Sequence, residues 1–512
     1  MKNKILCWMG KDLVYYGITY FLNQQYDCEL FSIIESNPKP RKFFEKQKLV
    51  PFKKMWFFSD YVQSKNEKPD MKYLSSIEKK YGINIWLMSY SERFFDERSR
   101  FHKFTQDDIL NLIEQECRFY EQVLDEVKPD FLIIRDVDMH HVNLFHEICR
   151  ARGITILSLY PLKMKSKWIV SDTDKLHYNP NIIKVEPEKQ KTFDELRDYL
   201  KKYDQGSWVR KWMTSSKINF TNKKTLSSIF NEFFRTDKSS RENFMKIGRT
   251  RRKIITTNLS MMLKGRYREL FLENNCKKEI KDEKFVFFPL HVSPERYIDI
   301  SAPFFSNQLE VITNIAKALP AEYKLYVKEH FAMKPLHWRK TSFYKQILSL
   351  PNVEFIHPLV SADEIIRKSS LVIAITGTSA LQAAFFEKPS IVFAHNIYEE
   401  FLSSVIRISS YEELSDGIRT ALKTKVNLEE LNRFVEIIEK ESFDYNTHVF
   451  DNEHNPIFKT LFSDVEISES EAKTFLDHHQ EVFEILSSEH LKKINNGGYN
   501  SIENLETDKK EI

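Results

Sequence analysis

Residues 371–393 constrain the fold of this chain more strongly than any other stretch of similar length. Residues 371–375 form a short apolar run with β-branched side chains, which is typical of a buried parallel strand. Gly377, Thr378 and Ser379 follow as a tight turn, and either hydroxyl can cap the helix that begins after it. A Lys-Pro pair separates this helix from a second apolar run. The pattern predicts a strand–turn–helix–strand unit of a parallel α/β sheet.

The same turn is a candidate anion site. The first backbone N–H groups of a helix have no intrahelical partner, and the helix dipole favours negative charge beside them. The hydroxyls of Thr378 and Ser379 add two groups that can hydrogen-bond a phosphate or a diphosphate. A plain strand–turn–helix, whose hydroxyls only cap the helix, fits these residues equally well.

Strands and helices alternate in two separate parts of the chain. Strands are predicted at 4–9, 28–34, 83–88, 131–134 and 154–159, and again at 285–290, 323–328, 353–356, 371–375 and 390–394. Helices between them indicate parallel pairing, and hence an α/β fold with two Rossmann-like, doubly wound domains. We predict an N-terminal domain over 1–204, a basic helical insert over 205–283 with helices at 243–253 and 263–272, a C-terminal domain over 284–445, and a helical extension with an acidic mobile tail over 446–512.

The net charge of +4 conceals an uneven distribution. Residues 210–270 contain 16 Lys and Arg against 4 Asp and Glu, whereas residues 464–512 contain 5 Lys against 12 Asp and Glu. The basic segment, with Trp208 and Trp212 at its start, suits an anionic membrane surface or an anionic glycan. Ordinary solvated helix faces explain the same charges. Nucleic-acid binding is not expected, because no recognition motif accompanies them.

The sequence predicts a cytoplasmic protein without a metal site. No apolar run approaches the ~20 residues that span a bilayer, and the apolar stretch at the start is too short for a signal peptide. The five cysteines show no metal-ligand spacing and fit buried free thiols. His140, His141 and His146 also lack the spacing of a zinc site. A peripheral position at the inner face of the membrane follows if the basic segment binds lipid.

Four blocks of the chain together resemble a known family. Residues 287–296 read FFPLHVSPER, residues 323–330 YKLYVKEH, residues 351–358 PNVEFIHP and residues 375–380 ITGTSA. In this order and spacing they resemble the capsule-polysaccharide-biosynthesis family, surface-carbohydrate glycosyltransferases with two Rossmann-like domains (the GT-B architecture), similar to the bacterial Kdo-transferring capsule proteins. The resemblance covers 284–425, is weaker over 1–160, and does not extend to 205–283 or the tail.

The resemblance implies an enzyme that transfers a sugar from a nucleotide-activated donor on the C-terminal domain to a glycan or glycolipid acceptor on the N-terminal domain. No metal or other cofactor is implied, because helix N-termini and basic side chains neutralise the departing phosphate. Two other functions stay open, a nucleotide-sugar epimerase or hydrolase with the same two-domain cleft and a non-catalytic glycan-binding relative. The chain departs from the family at Phe331, where related sequences have proline after the histidine.

Candidate donor-binding residues follow the predicted strands of the C-terminal domain. The Gly-Thr-Ser turn at 377–379 would hold the phosphates. Lys328, Glu329 and His330 come at the carboxyl end of a strand, where open α/β sheets bind ligands. Lys328 or His330 would pair with phosphate, and Glu329 would hold a ribose or sugar hydroxyl. The alternative is that Lys328 and Glu329 form a merely exposed pair.

Three further residues complete the predicted donor site. His291 and Glu295 also follow a strand end, and they either face the cleft or shape a loop. Gln382 lies one turn into the helix after the phosphate turn, at a position where the resembling sequences often carry glutamate. It is therefore a candidate for donor contact.

A catalytic base is predicted on the N-terminal domain, because transfer with inversion needs a group that takes the proton of the acceptor hydroxyl. Asp12 lies in the first strand-to-helix turn, and Asp136 and His140 follow the strand at 131–134. A carboxylate and an imidazole there can act as base and orienting partner, but both equally fit structural roles. Asp138 fits the N-cap of the helix that follows.

Overall fold

A computed structural model describes residues 2–10, 13–63, 67–92, 94–95, 101–162, 164, 166–172, 187, 189–201, 247–248, 250–293, 295–330, 333, 339–446, 450 and 466–496. These residues form two α/β domains, each built on its own sheet. Asp12 and most of the predicted basic insert, residues 205–246, lie outside the described residues.

The strands, in chain order, are β1 Lys4–Met9, β2 Glu29–Ile34, β3 Lys54–Phe57, β4 Phe131–Ile133, β5 Thr155–Pro161, β6 Lys167–Ser171, β7 Phe285–Pro289, β8 Lys324–Lys328, β9 Val353–Ile356, β10 Leu371–Ala374, β11 Ser390–Val392, β12 Val405–Arg407 and β13 Phe443–Asp444. The first sheet has the order β13-β6-β5-β4-β1-β2-β3, and the second β12-β11-β10-β7-β8-β9. Strands β1 to β5 pair in parallel, whereas β6 and β13 form an antiparallel edge. The second sheet is parallel throughout.

The helices are α1 Val14–Gln25, α2 Pro38–Lys46, α3 Phe58–Tyr61, α4 Met71–Tyr81, α5 Ile85–Tyr90, α6 Gln106–Val127, α7 His140–Ala151, α8 Phe193–Lys201, α9 Arg251–Asn275, α10 Arg296–Asp299, α11 Gln308–Ala318, α12 Thr341–Leu348, α13 Ala362–Lys368, α14 Thr378–Phe385, α15 Leu414–Ala421, α16 Leu428–Glu441, α17 Glu469–His478 and α18 Gln480–Asn495. Short turns at Pro303–Phe305 and Ile397–Glu400 are 3₁₀-helical. Each parallel sheet has apolar side chains on both faces, because helices cover both. This topology confirms the predicted class of two doubly wound α/β domains.

The end of the chain returns to the first domain. Strand β13 pairs with β6, and α18 packs against α1, where the rings of Phe21 and Phe483 stack at 5.8 Å. Gly17 permits this approach, because a Cβ there would lie 2.2 Å from the Phe483 ring. The ammonium of Lys473 donates a hydrogen bond to the Tyr20 hydroxyl at 2.9 Å. Residues 466–496 therefore complete the core of the first domain rather than extend the second.

Several local expectations were wrong. Residues 83–88 are not a strand: Asn84 caps helix α5, its Oδ1 accepting a hydrogen bond from the Leu87 N–H at 2.9 Å. Strand β3 was missed because lysines interrupt its apolar pattern. The predicted helix at 263–272 and the end of the one at 243–253 belong to a single 25-residue helix, α9. The prediction of unpaired thiols is confirmed, since all five cysteines are free and three of them are buried.

Candidate functional site

The second sheet brings the carboxyl ends of β7 and β10 together. The chain runs outward from β7 through β8 to β9, then returns to the other side of β7 and runs outward again through β10 and β11 to β12. Crossover connections on opposite sides of one central pair make a topological switch point, where open α/β sheets form a ligand-binding crevice. His291 follows β7, and Thr376 and Gly377 follow β10.

His291 joins these two strand ends. Its Nε2 contacts the backbone N–H of Thr376 at 3.3 Å and also the carbonyl oxygen of the same residue. The His291 backbone N–H donates to Oε1 of the buried Gln308 at 2.8 Å, and Nε2 of Gln308 donates to the His291 carbonyl at 3.3 Å. His291 therefore shapes the loop after β7, and its contact with a donor stays a prediction.

Gly377 turns the chain from β10 into α14. Its φ of 124° and ψ of −179° fall in a region that is essentially restricted to glycine. A Cβ at this position would lie 3.6 Å from Nε2 of His291, so the absence of a side chain keeps the space beside that ring open. Gly377 is also the N-cap residue, and no side chain caps the helix. The expectation that Thr378 or Ser379 caps α14 was therefore wrong, because the helix already begins at Thr378.

The start of α14 carries several hydrogen-bonding groups that are free for a ligand. Within the described ranges, the backbone N–H groups of Gly377, Thr378 and Ser379 donate to no protein atom, and the two hydroxyls make no hydrogen bond. Thr378 is exposed, and Ser379 and Gln382 are half-buried. Three N–H groups and two hydroxyls therefore surround the positive end of a helix dipole, which is an arrangement that binds an anion.

A buried ion pair supports the crevice from the β8 side. Glu329 follows β8, and its carboxylate accepts hydrogen bonds from the Arg339 guanidinium and, at 2.8 Å, from the Tyr344 hydroxyl. The Arg339 guanidinium also donates to the carbonyl of His291. Lys328 and Glu329 are only 7% and 2% exposed, so the alternative of an exposed pair was wrong. Arg339 thus ties the end of β8 to the end of β7.

His330 and Glu295 lie on the loops that leave these strands. Burial lowers the pKa of His330 to about 4, so its ring is neutral at pH 7 and offers hydrogen bonds rather than charge. The half-buried Glu295 begins a short helical turn, and its backbone N–H donates to Oδ2 of Asp299 at 3.1 Å. The structure therefore gathers His291, Glu329 and the 377–379 turn around the strand ends, with His330 and Glu295 on the adjoining loops.

The first sheet presents a second charged cluster at the carboxyl ends of β2 and β4. Arg135 follows β4, and its guanidinium contacts Oε2 of Glu35 at 3.3 Å and Oδ2 of Asp138 at 3.1 Å. Burial raises the pKa of Asp138, with Arg135 acting in the opposite direction. The sequence predicts that Asp138 caps α7. This is wrong, because Met139 occupies the N-cap position. Asp136 directly follows Arg135 in the chain and is half-buried.

His140 occupies the first position of α7, where Glu92 takes over the role of a cap. Oε2 of Glu92 accepts from the backbone N–H of His140 at 3.0 Å and lies 2.8 Å from its Nδ1. Nε2 of His140 lies 3.0 Å from Oε1 of Glu116. Burial alone would lower the pKa of His140, but Glu116 and then Glu92 outweigh it and raise the pKa to about 10. Since all three side chains are buried, this geometry favours the structural alternative for His140.

Glu92, His140 and His141 also form a group with metal-ligating atoms within 4.8 Å of one another. Both ring nitrogens of His140 already face carboxylates, and its raised pKa keeps the ring protonated. A metal would have to displace that proton, because a ligating imidazole must be neutral. The donor set therefore suits an ion cluster better than a metal site.

Sequence reasoning missed three residues that hold the crevice. Arg339, Gln308 and Tyr344 each bond to a predicted residue, but none stands in a motif or at a strand end. Their contacts span 10 to 48 residues of chain, so no periodic pattern reports them. Each of the three stands among other polar residues, so local polarity does not single it out either.

Comparisons with known proteins do not assign a family. No family model and no curated protein match the chain. Similar solved structures include the beta Kdo 2,7 transferase KpsC of Thermosulfurimonas dismutans, with 12% identity over 71% of this chain and 89% of that one, at a TM-score of 0.30. Another is the UDP-GlcNAc 2-epimerase of Methanocaldococcus jannaschii, with 13% identity over 85% and 99% at 0.24, and a third is the UDP complex of S. aureus MnaA, with 12% over 91% and 99% at 0.23. At TM-scores this low, the two sheets themselves remain the basis for the fold.

Proposed function

We propose that this protein is a glycosyltransferase that moves a sugar from a nucleotide-activated donor to a surface polysaccharide or glycolipid. The observation that carries the proposal is the free helix start at the switch point of the second sheet, where Gly377, Thr378 and Ser379 offer donors to an anion. The resemblance of four sequence blocks to capsule glycosyltransferases supports the same choice of substrate.

In the proposed reaction, the bond from the anomeric carbon to the phosphate oxygen breaks as the acceptor oxygen attacks. Negative charge then grows on the departing phosphate, and the N–H groups of the 377–379 turn stabilise it. Lys328 would add positive charge at the end of β8, and the neutral ring of His330 would add a hydrogen bond. For the acceptor proton we propose Asp136 or Asp12 as base, and for His140 a positioning role. We propose that no metal takes part.

The proposal predicts that a nucleotide alone binds and stabilises the protein. Thermal unfolding would be followed with CMP, UDP and GDP, and one of the three is expected to raise the transition temperature strongly. A hundredfold excess over Kd corresponds to about 2.7 kcal/mol of added stability. Absence of any shift with all three nucleotides would contradict a nucleotide-dependent enzyme. Turnover of the matching nucleotide-sugar without acceptor would instead indicate an epimerase or hydrolase.

We also propose that helix α9 faces anionic lipid, which would place the protein at the inner face of the membrane. Leu259, Leu263 and Tyr267 are 56%, 66% and 58% exposed on this helix, and Lys264 is exposed beside them. Exposed apolar side chains interleaved with cations suit an interface of anionic headgroups. Among the described residues, none of the helices has the length and apolarity needed to cross a bilayer.

Lys264→Glu is therefore expected to weaken cosedimentation with vesicles that contain phosphatidylglycerol, by about 1 kcal/mol or more of binding free energy. Vesicles of phosphatidylcholine alone should bind little of either protein. Lys423→Glu, at an exposed lysine on the second domain, is the matched control and should leave binding unchanged. Equal losses in both variants would show a general effect of net charge and would contradict a specific role for α9.

A further inference from the structure

A second concave surface, the interdomain crevice, is lined by residues of both domains. Its cavity measures about 360 Å³, within the usual range for ligand pockets. Helix α5 of the first domain forms one wall, and residues 299–306 of the second domain form the other. This crevice is separate from the helix start at 377–379, none of whose residues line it.

Three aromatic side chains face solvent around this cavity. Trp86 and Tyr90 stand one turn apart on α5 and are 39% and 85% exposed, and Phe304 on the opposite wall is 80% exposed. Large exposed apolar side chains on both walls of a concave surface indicate a ligand, since water solvates them poorly. Asn84, Asp299 and Ser306 add polar groups to the same lining. The chemistry is thus apolar faces bordered by hydrogen-bonding groups.

A pyranose ring has the complementary chemistry. Its C–H groups form an apolar face that stacks on an aromatic ring, and its hydroxyls project around the edge, where amide, carboxylate and hydroxyl groups can bond them. Among the described residues of this lining, the one charged group is Asp299, and a carboxylate does not suit a phosphate. The cavity therefore favours an uncharged or weakly charged sugar over a nucleotide phosphate.

Each wall lies close in the chain to residues of one candidate site. Residues 299–306 lie between His291 and Gln308, which hydrogen-bond each other in both directions. Helix α5 is followed two residues later by Glu92, which binds the start of α7 through His140. The two walls of the crevice are therefore connected through short segments of chain to residues of both candidate sites.

We propose that this crevice binds a sugar ring of the acceptor glycan, stacked on Trp86, Tyr90 and Phe304. The inference rests on the proposed transferase function and specifies its acceptor subsite. The buried Glu92–His140–Glu116 cluster then acts as a positioning element, because it fixes the end of the helix that presents Trp86 and Tyr90.

The test uses ¹⁹F NMR of the full chain labelled with 5-fluorotryptophan. The chain has seven tryptophans, and the Trp86 resonance is identified as the one missing from Trp86→Phe. Methyl glycosides of glucose, galactose and N-acetylglucosamine, and maltotriose, are titrated singly without nucleotide. At least one is expected to shift the Trp86 resonance saturably, and Phe304→Ala should weaken that response at least about tenfold. Leu359→Ala, at an exposed apolar residue of the second domain outside this lining, is the control and should not change it.

The outcomes separate this inference from the proposed function. If no sugar shifts the Trp86 resonance although the folded protein binds a nucleotide, the acceptor subsite is wrong and the transferase proposal stands. If nucleotides rather than sugars shift it saturably, the crevice is a nucleobase site and the inference is overturned. If sugars shift it as expected but no nucleotide binds, the crevice is a glycan site and the transferase proposal fails. Circular dichroism of each variant confirms folding, and Phe304→Leu replaces Phe304→Ala if the latter unfolds.

Discussion

His140→Ala is expected to lower the free energy of unfolding by about 3–5 kcal/mol at pH 7, because it leaves the carboxylates of Glu92 and Glu116 buried without their shared cation. Urea denaturation followed by circular dichroism measures the difference. His478→Ala, at an exposed histidine on α17, is the matched control and should change the value by less than about 0.5 kcal/mol.

The difference should depend on pH in a defined direction. The pKa of His140 is raised from 6.5 to about 10 in the folded protein, so its contribution is fully present below pH 6.5 and is lost as the pH rises through 10. The gap between wild type and His140→Ala should therefore narrow between pH 7 and pH 10. On the acid side, burial would raise the pKa of Glu92, but its hydrogen bond with His140 outweighs burial and lowers the pKa. The contribution of the Glu92 carboxylate to the free energy of unfolding is therefore present above pH 4.5 and is lost as the pH falls below that value. A gap of equal size at pH 6 and pH 10 would contradict a protonated imidazole.

Gly377→Ala is expected to weaken nucleotide binding by about 5- to 150-fold while the fold is retained. An alanine at a φ of 124° costs about 1–3 kcal/mol, and relief of that strain would move the N–H groups at the start of α14. The added methyl would also lie 3.6 Å from Nε2 of His291, in the space proposed for the phosphate. Isothermal titration with the nucleotide that stabilises the wild type gives the change in affinity.

The control for this variant is Gly82→Ala. Gly82 also has a positive φ, 65°, and a Cβ there meets nothing within 4 Å. It is the C-cap residue of α4 in the first domain. Loss of stability is expected in both variants, but loss of nucleotide affinity only in Gly377→Ala. Unchanged affinity in Gly377→Ala, with the protein folded, would exclude this helix start as the phosphate site.

Sequence periodicity predicted the fold because the deciding signals are local. Strands such as β7 and β10 are short apolar runs, and the turn residues beside them have their own chemistry. The same reasoning failed at residues 83–88, where the letters INIWLM alternate weakly but Asn84 caps a helix. The hydrogen bond from the Leu87 N–H to Asn84 marks the start of a helix where the pattern predicts a strand, and Trp86 on that helix lines the interdomain crevice.

The candidate site was only partly accessible to the same reasoning. Strand-end rules pointed to His291, Glu329 and the 377–379 turn, because parallel strands place their carboxyl ends at one edge. They could not predict that Arg339 links His291 to Glu329, or that Glu92 and Glu116 enclose His140. These partners come from distant parts of the chain, and their pairing depends on how the domain packs.

The return of residues 466–496 to the first domain has a consequence for synthesis. Helix α1 leaves the ribosome early, but Phe483, which covers Gly17 and Phe21, is among the last described residues to emerge. The second domain, complete by α16, can fold while the N-terminal half still lacks part of its covering layer. A nascent chain or a fragment that stops near residue 445 would leave that apolar surface open to chaperones or to aggregation.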